Sequence, residues 1–202
     1  VSLKKKKKYS FILIKKGLLG LTALQLGSLR IVFAAVFLLL IGFKSVSKIP
    51  VIKWKYIALT SLFGTFFPAY LFAIAQTEID SSVSSILNSL TPLNTLILGA
   101  LVFGLQFKRN QVFGILIGLI GSALLILNGA IHHPEQNYYY AVLVLIASIC
   151  YAVNVNLIKK YLHDLNPLSI TTGNFMVLFF PAFIILFFSG FFETVHDVEV
   201  QE

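Results

Sequence analysis

The sequence is poor in charge. Asp, Glu, Lys and Arg together make up 12% of its 202 residues, about half the share usual in a soluble globular protein. So few charges cannot clothe a water-exposed surface of this size, which excludes an ordinary soluble domain. Cysteine is almost missing: Cys150 stands alone, so there is no disulfide framework and no Cys-based metal site. The one methionine is Met176, from which the chain is expected either to start at another codon or to be a piece of a longer protein. All eight acidic residues fall in loops or in the tail, outside the apolar runs, so this portion offers no obvious intramembrane proton relay. Gly-x-Ser-x-Gly, His-Glu-x-x-His and a phosphate-binding Gly-rich loop with Lys are also absent. No catalytic residue, cofactor or metal is therefore expected, and the chain is not read as an enzyme.

What is present is apolar. Hydrophobic residues account for 57% of the chain and 19 residues are Phe, with a mean hydropathy of +0.88. A spanning helix needs about 20 apolar residues, and six segments meet that length: roughly 24–43, 56–75, 82–105, 111–129, 139–158 and 168–190. A seventh, Tyr9–Leu21, is too short and holds Lys15 and Lys16. These runs lack the alternation of barrel strands. The expected fold is an all-α integral membrane protein, a helical bundle of six full spans plus one truncated span, with the lipid bilayer as its principal partner. Because the Lys4–Lys8 run leads into further lysines and not into an unbroken apolar core, no cleavable signal peptide is expected.

The net charge of +8 reads as a topology signal and not as a nucleic-acid footprint. Lysines and arginines crowd the loops at 44–55, 106–110 and 159–167, whereas 76–81, 130–137 and the tail after Gly190 carry acids and no Lys or Arg. The alternation places the lysine loops in the cytoplasm and the C-terminal tail outside. The expected location is a cell membrane, crossed several times, with the bacterial inner membrane as the setting.

The chain also repeats itself. At an offset of 144, Leu13-Ile14-Lys15-Lys16-x-Leu18 falls on Leu157-Ile158-Lys159-Lys160-x-Leu162, and Leu21, Leu24 and Phe43 fall on Leu165, Leu168 and Phe187. The unit holds five helices, an odd number, so the second copy enters the membrane inverted. Inverted repeats are typical of secondary transporters, whose sites lie at the repeat interface near the bilayer midplane. The same offset sets Lys4–Lys8 against Ser148–Ala152, the middle of a span. Five lysines there would cost roughly 2.5–3.5 kcal/mol each, so the first helix is expected to be truncated and the chain to be an incomplete product of a ten-helix protein. The expected organisation is a truncated first helix at 1–21, the rest of the first repeat at 22–129, an external loop at 130–137, the start of a second repeat at 138–190 and a polar external tail at 191–202.

Ser10-Phe11-x-x-Ile14-Lys15-x-Gly17 and Leu24-Gln25-Leu26-x-Ser28-Leu29-Arg30 resemble the first-to-second helix region of EamA-like transporters, in the drug/metabolite transporter superfamily. The stretch Ser81–Pro92 resembles the fourth helix of that family, and Gln111-x-x-Gly114-x-x-x-Gly118-x-x-Gly121 its entry to the fifth. The family often has Glu where Gln106 stands. The resemblance covers about residues 10–129 as one repeat and 138–190 as the start of another. It implies a ten-helix, two-repeat inverted architecture that moves small organic metabolites or drugs by alternating access, without ATP. The competing expectation is a truncated, non-transporting membrane protein or an assembly partner.

Arg30 is the one arginine inside a span, and an intramembrane charge marks a functional site by default. It either holds a substrate carboxylate or serves structure, by snorkelling to headgroups or pairing with Glu78 or Asp80. Ser81, Ser85, Asn88, Pro92 and Thr95 recur at helical spacing on one face. Ser85, Asn88 and Pro92 are candidates for a substrate path, with Pro92 freeing a backbone carbonyl, and Ser81 and Thr95 for helix packing. Tyr151 and Asn154 share a helix face, and Asn174 falls opposite Arg30 in the repeat; these three complete the path candidates. Asn156 is expected at a cap or in solvent. Gly114, Gly118 and Gly121 form a small-residue stripe suited to helix packing within the chain or between copies, as in a homodimer. His132 and His133, adjacent in an outside loop, point to different faces and make no metal site.

Overall fold

A computed structural model describes residues 20–104 and 137–192, together with isolated positions between 110 and 128. The elements found there are helical, and five helices among the described residues are long and apolar enough to cross a membrane: Ala23–Val46, Val51–Glu78, Ser81–Val102, Ala141–Tyr161 and Pro167–Phe188. The protein is thus a multi-pass membrane protein. The expected span at 111–129 is described only at scattered helical positions, and the truncated helix at 9–21 lies outside the described residues up to residue 19. The six-plus-one count therefore stands at five among the described residues.

Helix α1 (Ala23–Val46) opens on a reciprocal cap. The Gln25 N–H donates to Thr22 Oγ1 (3.3 Å) while the Thr22 N–H donates to Gln25 Oε1 (2.9 Å), which satisfies two amides that the first turn leaves without partners. The second span is interrupted. It comprises α2 (Trp54–Ser61), a π-helical turn (Leu62–Phe66) and α3 (Phe67–Glu78). Pro68 has no N–H to offer the carbonyl of Gly64 one turn earlier, and its ring crowds that carbonyl. The widened turn sits where that conflict falls. The third span breaks outright between α4 (Ser81–Asn88) and α5 (Thr91–Phe103). Pro92 imposes the same conflict on the Asn88 carbonyl, and the Thr91 hydroxyl takes over as its donor at 2.8 Å. Both interruptions fall at the middle of their spans. Helix α6 (Ala141–Tyr161) follows a 3-10 turn, Tyr138–Tyr140. Helix α7 (Pro167–Phe188) begins on Asn166, whose side chain accepts from the Leu168 N–H at 2.9 Å, with Pro167 at the first helical position where no amide is missed.

Helices α1 and α7 form the most extensive pair. Gln25 Nε2 donates to the Ser189 carbonyl at 2.9 Å, and Gly42 lies directly on Thr172, so the start of each helix meets the end of the other and the pair is antiparallel. Helix α6 packs against α2 through α5. One apolar cluster joins Leu26, Ile79, Leu87 and Ala141 at the lysine-poor end. Another joins Val46, Ile49, Ile57, Leu162 and Ile170 at the lysine-rich end, where Tyr56 stacks on Tyr161 (4.2 Å between centroids, 6° between planes) and Lys53 pairs with Asp164. The Lys53 ammonium, hydrogen-bonded to Asp164, holds that carboxyl below its ordinary value. Outward faces stay apolar: Phe33, Phe37 and Leu40 on α1 and Phe180, Phe187 and Phe188 on α7 are exposed, the surface that hydrocarbon covers at no cost.

Candidate functional site

Between the two end clusters lies a cavity of ≈ 710 Å³, within the range of small-molecule sites. Helix α1 contributes Arg30, Ile31 and Ala34; the π-turn and α3 contribute Gly64, Thr65, Pro68, Ala69 and Phe72. The α4–α5 break adds Asn88 and Thr91, α6 adds Tyr151, Asn154 and Val155, and α7 adds Phe175. Both helix interruptions therefore open onto the same space. An unbroken helix would present only side chains there; the breaks also bring backbone and tightly placed amides to the wall.

Arg30 is accessible and is the only charged residue among those lining the cavity. Among the described residues no ion pair joins Arg30 to Glu78 or Asp80. A charged side chain within a span is tolerated where it faces a cavity and not hydrocarbon. Tyr151, on the same lining, stacks on Phe72 with centroids 6.1 Å apart and planes at 30°. Asn154 is seated against the π-turn: a Cβ at Gly64 would stand 2.6 Å from the Asn154 Cγ and Nδ2, so only glycine admits the amide at that spot. Asn154 Oδ1 is shielded and has no hydrogen-bond partner among the described residues. Asn88 accepts from the Thr91 hydroxyl at 3.1 Å through its own Oδ1.

Four residues singled out from sequence thus come together here: Arg30, Asn88, Tyr151 and Asn154. The other three stand apart from the lining. Ser85 is half-buried on α4, and Pro92 faces outward on α5, because the break rotates α5 away from the single face that an unbroken helix would have kept. Asn174 is buried at the α2–α7 contact, where its Oδ1 accepts from the Thr60 hydroxyl at 2.9 Å. Asn156, expected at a cap or in solvent, is 3% exposed and donates to the carbonyls of Thr95 (3.0 Å) and Ala152 (2.9 Å), bracing α5 against α6. Of the glycine stripe, Gly118 lies near Leu90 and Leu93, while Gly114 and Gly121 are exposed with nothing beside them among the described residues. His132 and His133 lie outside the described residues. Gly64, Thr65, Pro68, Thr91 and Phe175 escaped the sequence reading. The Gly64-x-x-x-Pro68 spacing, a proline one turn after a glycine inside an apolar run, was the signal for the first three.

The EamA-like transporter family model matches residues 9–127. An "Uncharacterized transporter" of Archaeoglobus fulgidus is 29% identical over 131 residues, 63% of this chain and 45% of that protein. "Solute carrier family 35 member F5" of Bos taurus is 26% identical over 157 residues, 73% of this chain and 30% of that protein. The chain spans less than half the length of these curated relatives, and no solved structure matches it. With the family model covering more than half of its residues, the chain belongs to the EamA-like transporter family.

Proposed function

We propose that this chain forms the core of a secondary transporter that moves small organic metabolites or drugs across a membrane by alternating access, with its site in the cavity between the interrupted spans. The observation that carries this reading is the meeting of two mid-span helix breaks and one accessible arginine around a single cavity. Discontinuous helices near the midplane are the way transporters with inverted repeats build solute sites. Arg30, Asn88, Tyr151 and Asn154 are the substrate-path residues in this reading, Ser85 and Pro92 flank the break, and Asn174 supports the site from behind.

The inverted repeat draws support from α1 and α7. Their first residues, Ala23 and Pro167, differ by the 144 residues of the sequence offset. Antiparallel packing of two helices with that relation is what two inverted copies would produce. The repeats run over 22–129 and 138–190 in this reading. The charge alternation favours a cytoplasmic lysine-rich end and an external C-terminal tail, in a bacterial inner membrane, and the exposed Gly114 and Gly121 offer a surface for a second copy.

The competing reading is a non-transporting chain or assembly partner. Reconstituting it beside a full-length family member and following solute flux into liposomes separates the two. Flux above that of empty liposomes, reduced by Asn154→Ala, supports transport by this chain; flux equal to empty liposomes beside an active full-length control removes it.

A further inference from the structure

The polar content of the cavity is unbalanced in charge. Arg30 supplies one positive charge, and the other polar side chains lining the space, Asn88, Thr91, Tyr151, Asn154 and Thr65, are neutral groups. A guanidinium presents a planar fork of donors that matches carboxylate or sulfonate oxygens two at a time. A cationic solute brought into this space would meet an unscreened like charge, which costs most where the surroundings have a low dielectric constant. A dianion would leave one of its charges without a counter-charge among the described residues. Much of the remaining lining is apolar or aromatic: Tyr151, stacked on the buried Phe72, with Phe175 of α7, Pro68, Ile31 and Val155. Aromatic walls of this kind favour ring-shaped solutes by offset stacking.

We propose that the cavity takes a small organic monoanion with a flat apolar body, its anionic group on Arg30 and its ring against Tyr151 and Phe175. This assignment rests on the cavity's being the solute site of a transporter, and it names the class of solute. Arg30 fixes the charge and orientation of the bound molecule, and the aromatic wall selects a ring over a short aliphatic chain.

Benzenesulfonate is a suitable probe, because it stays ionised and does not leak through lipid as a neutral acid. Titrating it calorimetrically into the purified full chain in lipid nanodiscs gives saturable binding, weaker by about tenfold or more in Arg30→Gln and intermediate in Arg30→Lys. The neutral benzenesulfonamide and the ringless methanesulfonate bind more weakly than benzenesulfonate to the unaltered chain, as do benzyltrimethylammonium and benzene meta-disulfonate, and the sulfonamide is indifferent to Arg30→Gln. The ligand series on the unaltered chain decides the matter even if a variant fails to fold. Absent benzenesulfonate binding, equal binding of the sulfonamide, or tighter binding of the cation or the dianion overturns the assignment. Flux of the same compounds into liposomes judges the transport reading separately. Arg30-dependent binding without flux leaves the anion site standing and removes transport by this chain. Flux of the cation or the neutral compound in preference to the anion leaves transport standing and removes the anion.

Discussion

The contact between Gly42 of α1 and Thr172 of α7 gives a quantitative test of the antiparallel packing on which the inverted-repeat reading depends. A methyl group at position 42 would fall far inside contact distance of the Thr172 Oγ1, 3.1 Å from its Cβ and 3.2 Å from its Cγ2. Rotating the threonine about its first torsion cannot clear the clash, because both branch positions lie within 3.2 Å of the new methyl and at least one of them stays filled. Gly42→Ala must therefore push α1 and α7 apart by several tenths of an ångström. Overpacking of this kind costs about 1–3 kcal/mol, and alanine returns about 1 kcal/mol of helix propensity over glycine. The net expectation is a loss of roughly 0–2 kcal/mol. Thr172→Ala alone should be close to neutral: its hydroxyl is buried without a hydrogen-bond partner among the described residues, so its removal breaks no bond while the small loss of packing offsets the gain. In the double variant the threonine branches no longer obstruct the new methyl, and most of the loss is recovered. Reversible unfolding of the four proteins in mixed micelles gives the coupling, expected at about 1 kcal/mol or more. Additivity of the two substitutions within about 0.5 kcal/mol would refute the contact and with it this register of α1 on α7.

Further substitutions probe the site, the α1–α3 contact and the lysine-rich end. Gly64→Ala should expel the Asn154 amide from the cavity wall while leaving stability within about 1 kcal/mol of the unaltered chain. Flux measured for Gly64→Ala, Asn154→Ala and the double variant should fall alike, since all three act through one amide; additive losses would show two separate roles. Tyr70→Phe removes a buried hydrogen bond of 2.7 Å to the Ser28 hydroxyl between α3 and α1, and unfolding should show a loss of about 1 kcal/mol; no loss would mean that the bond is not formed in the membrane. The Asp164 carboxyl is held below its ordinary value, first by the hydrogen bond from Lys53, so its contribution to stability is present above the ordinary carboxylate value and lost as pH falls through the lowered one. The stability difference between the unaltered chain and Lys53→Ala should accordingly persist at neutral pH and vanish in acid; a difference unchanged in acid would assign Lys53 a packing role only.

The parts of the molecule most legible in the sequence were those set by the bilayer. Uncharged runs such as Ala141–Ile158 must be helices because hydrocarbon offers no other partner for their backbone, and the lysines at 44–55 and 159–160 mark where those runs end. The break at Pro92 was legible because proline removes a hydrogen bond from the preceding turn and crowds its carbonyl, although α7 runs through Pro181 without interruption. Its consequence was not: a break redirects the helix that follows, so a face counted through it from Ser85 to Pro92 loses its meaning, and Pro92 turns outward. Asn174 was chosen because it matches Arg30 in the repeat, but an offset fixes position along a helix and not which neighbour shares its face; Thr60 of α2 supplies its hydrogen bond. The π-turn carried a weaker sign, Gly64 ahead of Pro68, and it left Thr65 and Gly64 out of the reading although both line the cavity. Phe175 gave no sign at all, since one Phe among many in an apolar helix is indistinguishable from a lipid-facing one until its neighbours are known.

The central claim is that a water-accessible cavity lies at mid-membrane beside α6. Cys150 is the only cysteine and is buried, so Cys150→Ala gives a background free of thiols. Into it, Asn154→Cys places a thiol on the cavity wall, and Phe37→Cys places one on an outward apolar face that is 63% exposed. With the chain in liposomes, a membrane-impermeant charged thiosulfonate should modify position 154 readily and leave position 37 untouched. An unreactive cysteine at 154 beside a reactive one at 37 would contradict the cavity and the transport reading built on it.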